Sequence, residues 1–381
     1  MKIGIITILK VNNYGAELQA YATQAFLNKL GYNAEIIDYL FYKNPKHKKT
    51  VLSKPLFRYS FKKRVSEFLY PILVKVRNLR NKATIKKRLL RFDEFHKLHS
   101  SISKTYRTVD ELYNSTFDYD VFLTGSDQVW NPGIYSTVAP YFLDFAPEGK
   151  LRISYAASFG VSDIPNDCVR LYRSYLSKYA AIGVRENSAV DIVKSISGKT
   201  ATWVLDPTFL LTKEEWLEVS NEIHSVADNF LLVYELIPCP YIMMLSQHIA
   251  NCKNLKIVRI CQDSANIKDD DSVINVLDAG PSEFLYLFSK ASFVVTNSFH
   301  GTAFSVNFNK PFYTVLPIHK QNNSRQQSLL NLLGLMDRCL IEGSEFPGNT
   351  SFDIDYTSAN NILDIERKKS INFLINSING R

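Results

Sequence analysis

The run Ser298-Phe299-His300-Gly301-Thr302 follows a continuous apolar stretch, SFVVTNS, and precedes TAFSVNF, which reads as a helix. A histidine at such a strand-to-helix junction stands at the carboxyl edge of a sheet, where open parallel α/β folds collect their ligands. Imidazole titrates near neutral pH and suits either proton transfer or contact with an anion. Gly301 lets a ligand approach the backbone closely, and the helix start, flanked by Ser298 and Thr302, offers N–H groups to an anion. Arg185-Glu186 closes a second strand, AIGV, and a guanidinium there can grip phosphate or carboxylate through two parallel bonds. Gly125-Ser126-Asp127-Gln128-Val129-Trp130-Asn131 closes a third. Asp127 is a candidate base or a partner for acceptor hydroxyls, and Trp130 a candidate face for stacking on a sugar ring. Lys320 and Arg325 are candidates for extra positive charge. The loop Asn12-Asn13-Tyr14-Gly15-Ala16 is a weak candidate acceptor or phosphate loop, being neither a P-loop nor GxGxxG. Each feature also has a plain reading: a hydrogen-bonded histidine, an arginine paired with Glu186 or another acid, an N-cap aspartate, a core tryptophan.

These residues need sheets to hold them. Residues 2–8 read as a buried strand, 16–32 as a helix with Gly31 as its stop, and 34–39 as a second strand, which makes a β-α-β opening. Strand signals recur at 118–124, 151–158, 181–184, 203–211, 229–236, 256–261, 292–298 and 309–315, with a helix at 281–291 and an amphipathic one at 357–379. This alternation predicts two Rossmann-like α/β domains facing a central cleft, a GT-B-like glycosyltransferase architecture. The expected boundaries are 1–178 for the N-terminal domain (acceptor side, with a basic helical insertion at 43–107), 179–355 for the C-terminal domain (donor side), and 356–381 for a helix packing back on the N-terminal domain.

Composition narrows the class. The 381 residues carry a net charge of +8, and 46% are apolar, as in globular proteins. Residues 43–107 hold twenty Lys/Arg against three acids, so the rest of the chain is net acidic. Basic residues interleaved with Phe68, Leu69, Ile72, Leu89, Leu90 and Phe92 suit an interfacial amphipathic helix, or a solvated basic face. No nucleic-acid motif accompanies the charge, so nucleic acid is not an expected partner. The N-terminus lacks the apolar run of a signal peptide and no window reaches the length of a membrane span, so a cytoplasmic protein is expected. Five scattered cysteines without a CxxC pair point to no metal site and no disulfide framework.

Taken in order, NNYGAELQAYA (12–22), YDVFLTGSDQVWNP (119–132), ISYAASFG (153–160), IGVRENS (182–188), VLDPTFLL (204–211), FVVTNSFHGTAFSVNFNKPF (293–312) and NSRQQSLLNLLGL (323–335) resemble the polysaccharide pyruvyl transferase family. The resemblance implies phosphoenolpyruvate as donor substrate, no other cofactor, and ketal-forming transfer to two hydroxyls of one sugar during capsular, exopolysaccharide or other surface-glycan synthesis. It implies His300 as the active-site histidine, acting as acid or as phosphate binder, and Arg185 as donor-binding. Ser298, Gly301, Thr302 and Arg325 fall on the donor side. Asp127 is the candidate base, and Asn13, Tyr14 and Trp130 fall on the acceptor side. The acceptor is expected to be a saccharide, for which a polyprenyl-diphosphate carrier at the inner membrane face would suit contact with the basic segment. Two other readings use the same features: a GT-B glycosyltransferase with a nucleotide-sugar donor, and a non-enzymatic anion- or membrane-binding scaffold.

Overall fold

The computed structural model describes residues 1–42, 44, 46–50, 82–133, 138–223, 226, 228–261, 272–319, 323–348 and 352–380. Most of the basic segment, including 51–81, and Lys320 lie outside the described residues. The chain forms two compact units.

The first unit is built on a six-stranded, all-parallel sheet of order β2-β1-β3-β4-β5-β6. Its strands are β1 (Lys2–Ile6), β2 (Asn33–Ile36), β3 (Val121–Thr124), β4 (Leu151–Ala157), β5 (Ala181–Val184) and β6 (Thr202–Trp203). Helix α1 (Tyr14–Lys29) connects β1 to β2. The strands read as unbroken apolar runs because helices cover both faces of a parallel sheet; all of β3 is buried. Order reverses between β1 and β3: the chain leaves β1 for one neighbour, then returns to pair on its other side. Loops leaving the carboxyl ends of two such strands diverge and open a crevice.

The second unit repeats the plan with order β12-β11-β10-β7-β8-β9, again all parallel. Its strands are β7 (Phe230–Tyr234), β8 (Lys256–Ile260), β9 (Val273–Val276), β10 (Phe293–Thr296), β11 (Phe312–Leu316) and β12 (Cys339–Ile341). Here the reversal falls between β7 and β10. Two parallel-sheet α/β units are the fold class expected from the sequence.

The boundaries differ from those expected. The division falls after Leu211, not near 178, because β5 and β6 pair with β4 and complete the first sheet. Residues 360–381 group with the first unit. There Ser370 accepts a hydrogen bond from Leu205 N at 2.9 Å, and Arg367 donates to the Phe209 carbonyl at 2.6 Å. Phe373 fills the space a Cβ on Gly183 of β5 would need, at 2.6 Å.

The basic segment is also divided. The helix Lys82–His99 groups up to Phe95 with the second unit, not with the N-terminal domain. Charge explains this. Lys87 and Arg91 pair with Asp278 at 2.6 and 3.1 Å, Arg91 also pairs with Glu283 at 3.3 Å, and Arg88 donates to the Cys261 carbonyl at 3.1 Å. Burial works against Asp278's charge, yet Lys87 and Arg91 outweigh it and hold the carboxyl below its ordinary range. Part of the basic surplus is therefore used inside the fold.

Candidate functional site

Each sheet carries a polar cluster at its switch point. In the first unit it starts at the carboxyl end of β3. Ser126 is buried, and its hydroxyl donates to Asp206 at 2.9 Å. Asp206 also caps its own turn, taking bonds from Thr208 N and Oγ1 at 3.0 and 2.8 Å. Arg185, one residue past β5, donates to Asp206 at 2.9 Å and to Ser126 Oγ at 3.2 Å. Glu186 and Asp127 complete the group at 3.6 and 3.8 Å from the same guanidinium. The Glu186 carboxylate in turn takes a 2.5 Å bond from Ser158. Burial alone would press the Arg185 charge out, but Asp206, Glu186 and Asp127 outweigh it and hold the guanidinium protonated above its ordinary value.

The three carboxylates are not equivalent. Asp206 is fully enclosed and Glu186 nearly so, whereas the Asp127 side chain is 18% exposed. Asp127 also sits in the left-handed region, with φ of 74°. A non-glycine residue held there stores local strain, a trait that clusters at functional positions. Lys10 and Asn12, in the loop after β1, and Ala156, in β4, share that conformation. Four strained residues thus lie along the carboxyl edge of three adjacent strands.

Other expected residues have different places. Trp130 is fully buried: it stacks on Phe142 at 5.0 Å, abuts Phe159 and Tyr179, and donates its indole N–H to the Tyr141 carbonyl at 3.1 Å. This corrects the stacking role expected of it, because its ring faces are already covered. Tyr14 is likewise a core residue, and the Asn13 side chain caps α1, accepting from Ala16 N at 3.2 Å. Arg185 is buried among carboxylates instead of presented on a surface.

In the second unit the cluster surrounds the helix Phe299–Asn307. Ser298 is its N-cap, accepting from Gly301 N at 3.2 Å. The Thr302 hydroxyl donates to the Ser298 carbonyl at 3.0 Å and accepts from the Thr314 hydroxyl at 2.7 Å. A Cβ on Gly301 would meet the Thr296 side chain at 2.3–3.1 Å, so this glycine answers to packing against β10. Ser298, Gly301 and Thr302 are therefore the scaffold of the helix start. His300 occupies the first turn, with only 6% of its surface exposed, edge-on to Phe299 at 5.2 Å. The Arg325 guanidinium lies 5.9 Å from the Phe299 ring. Asn297 ties the two sides of the switch point together: it accepts from Leu236 N at 2.8 Å and donates to the Ile237 carbonyl at 2.7 Å, both just past β7. Gln326 then donates to the Asn297 carbonyl at 3.2 Å, which links the Arg325 helix to the same corner. His300, Arg325 and the helix N-terminus together suit a small anion.

Asp206 and Glu17 escaped the sequence reading. The Asp-Pro-Thr of VLDPTFLL was a legible cap signal for Asp206, and a carboxylate on the apolar face of α1 was the signal for Glu17. Among the described residues no group of three or more His, Cys, Asp or Glu could hold a metal ion, and no helix is long and apolar enough to cross a membrane.

Comparison with known proteins adds the family. A model described as polysaccharide pyruvyl transferase matches residues 13–318. No curated protein matches the chain. Among solved structures, UDP-GlcNAc 2-epimerase from Neisseria meningitidis bound to UDP-GlcNAc is similar at 11% identity, with all of both chains covered and a TM-score of 0.50. A Listeria monocytogenes protein described as a UDP-N-acetylglucosamine 2-epimerase is similar at 10% identity, covering all of this chain and 89% of its own, with a TM-score of 0.51. At such identities the likeness is one of fold, the GT-B-like class expected.

Proposed function

The chain belongs to the polysaccharide pyruvyl transferase family, and on that premise we propose that it transfers a pyruvyl group from phosphoenolpyruvate to two hydroxyls of one sugar, as a ketal. Membership makes it a transferase with a saccharide acceptor. The observation that carries the rest is the extent of the match: residues 13–318 run through both switch-point clusters and include Asp127, Arg185 and His300. Arg325 falls beyond that stretch, so its assignment rests on its place beside Phe299 and His300.

The chemistry asks for these groups. Protonation of the donor's methylene carbon leaves an oxocarbenium-like centre at C2. One sugar hydroxyl adds there and gives up its proton; phosphate departs; the second hydroxyl adds, and its proton leaves with the phosphate. His300 supplies the first proton or steadies the phosphate. Arg325 and the first turn of the Phe299–Asn307 helix take the donor's anionic groups. Asp127, the partly open carboxylate of its cluster, accepts the hydroxyl proton. Arg185 is assigned to the anionic donor, and the carboxylates around it fix its orientation beforehand. The basic segment adds reversible attraction to an anionic membrane or a lipid-linked diphosphate, at about 1 kcal/mol per Lys or Arg near the surface. Lys87, Arg88 and Arg91 are spent on internal contacts, which leaves the remaining Lys and Arg of 43–107 for that task.

Purified protein incubated with phosphoenolpyruvate and lipid-linked saccharides should release inorganic phosphate and add one pyruvyl group to the sugar. Consumption of a nucleotide sugar in place of phosphoenolpyruvate would refute the donor assignment.

A further inference from the structure

The loop between β1 and α1 is held in an improbable conformation by one fully buried carboxylate. Lys10 and Asn12 both have φ of 55°, which side chains other than glycine seldom adopt. Glu17, one turn into α1 and with no exposed surface, takes the two consecutive loop N–H groups: Val11 at 3.0 Å and Lys10 at 3.2 Å. Consecutive N–H groups around a left-handed residue form a nest for an anion, and here the anion is internal. His96, itself buried, bonds Glu17 from the other side at 2.8 Å. Asn44 donates to the Lys10 carbonyl at 2.9 Å, and the Lys10 amine reaches Asp38 at 2.5 Å.

The same helix steadies the neighbouring turn. Gln19, also fully buried, donates to Thr7 Oγ1 at 2.8 Å, and Thr7 donates to the Ser126 carbonyl at 2.8 Å, next to Asp127. The opening turns of α1 therefore hold both loops of the β1/β3 switch point. Glu17 is too deeply enclosed to touch a substrate, so its effect passes through the loop it shapes.

We propose that Glu17 is a positioning residue, the internal template that fixes the Lys10–Asn13 loop as the acceptor-side rim of the transfer site. The rim part rests on the pyruvyl-transfer reading; the template part does not.

The test is Glu17→Gln in the full chain. The new amide keeps the size but sets an N–H₂ against one of the two loop N–H groups. Without substrates, amide exchange of a peptide spanning 8–13 should quicken about tenfold, the weight of one buried hydrogen bond, while peptides from β4 and β5 keep their rates. Unchanged exchange in the loop, or equal quickening throughout the unit, would overturn the template. Under turnover, acceptor KM should rise about tenfold with donor KM and kcat unchanged, the mark of a binding-only contact. A fall in kcat alone, or equal rises in both KM values, would overturn the rim role, as would a wild-type enzyme that transfers no pyruvyl group; exchange still judges the template in that case. If Glu17→Gln does not fold, Glu17→Asp, which keeps the charge but draws the carboxylate back by one methylene from the Lys10 and Val11 N–H groups, is read by the same exchange measurement, and unchanged loop rates there would overturn the template equally.

Discussion

Replacing Arg185 with methionine removes the counter-charge that Asp206, Glu186 and Asp127 share. The guanidinium is 1% exposed and Asp206 fully buried, so solvent cannot take over the vacated role. Breaking a buried pair by deleting one partner costs about 3–5 kcal/mol, and three carboxylates share this loss, so the upper half of that range is expected. Asp206→Asn should cost about 2–3 kcal/mol, less than the general figure, because Arg185 keeps Glu186 and Asp127 at 3.6 and 3.8 Å. The double variant should be milder than the two losses added together, with a coupling energy of about 2 kcal/mol. Urea denaturation followed by tryptophan fluorescence in a Trp216→Phe background, which leaves Trp130 and Trp203, reads the first unit, and the Arg185→Met midpoint should fall by roughly 10 °C in a matching thermal scan. An Arg185→Met protein within about 0.5 kcal/mol of wild type would refute the reasoning: the arginine would then be a ligand-binding group with no part in the scaffold.

Three further outcomes follow from the same geometry. His300→Asn should lower kcat for pyruvyl transfer by about 10²–10⁴-fold with a denaturation midpoint near wild type; retained turnover would remove His300 from the chemistry. Trp130→Ala should cost about 3–5 kcal/mol without a selective rise in acceptor KM, measured by denaturation and steady-state kinetics; a stable variant with raised acceptor KM would restore the stacking role. Lys310 is pushed down to about 8 by burial, with Lys213 and Lys290 adding to the effect. Its unfolded value is 10.5, so the unfolded chain binds the extra proton between those limits, and stability should climb as pH rises from about 8 to 10.5. Lys310→Met should flatten that climb and add about 1 kcal/mol at pH 7, a figure reduced for the amine's partial contact with water; a pH-stability profile parallel to wild type would contradict it.

What the sequence determined is local. Apolar runs set the strands, Asn13 and Ser298 set helix starts, and His300, Asp127 and Arg185 were legible as residues at strand ends because each lies within four residues of the end of an apolar strand. Periodicity and capping act over a few residues, so they can be read from a few residues. Tertiary structure alone decided which sheet each strand joined and which polar groups were buried. Ser126 meets Asp206 across 80 residues, Glu17 meets His96 across 79, and Thr7 meets Ser126 across 119. A buried charge is tolerable only beside a partner, and when that partner is remote in the chain nothing in the local pattern announces it. For the same reason β5 and β6 joined the first sheet, the Lys82–Phe95 stretch joined the second unit, Trp130 and Tyr14, which their types offered to a ligand, became parts of the core, and Arg185 came to lie among carboxylates.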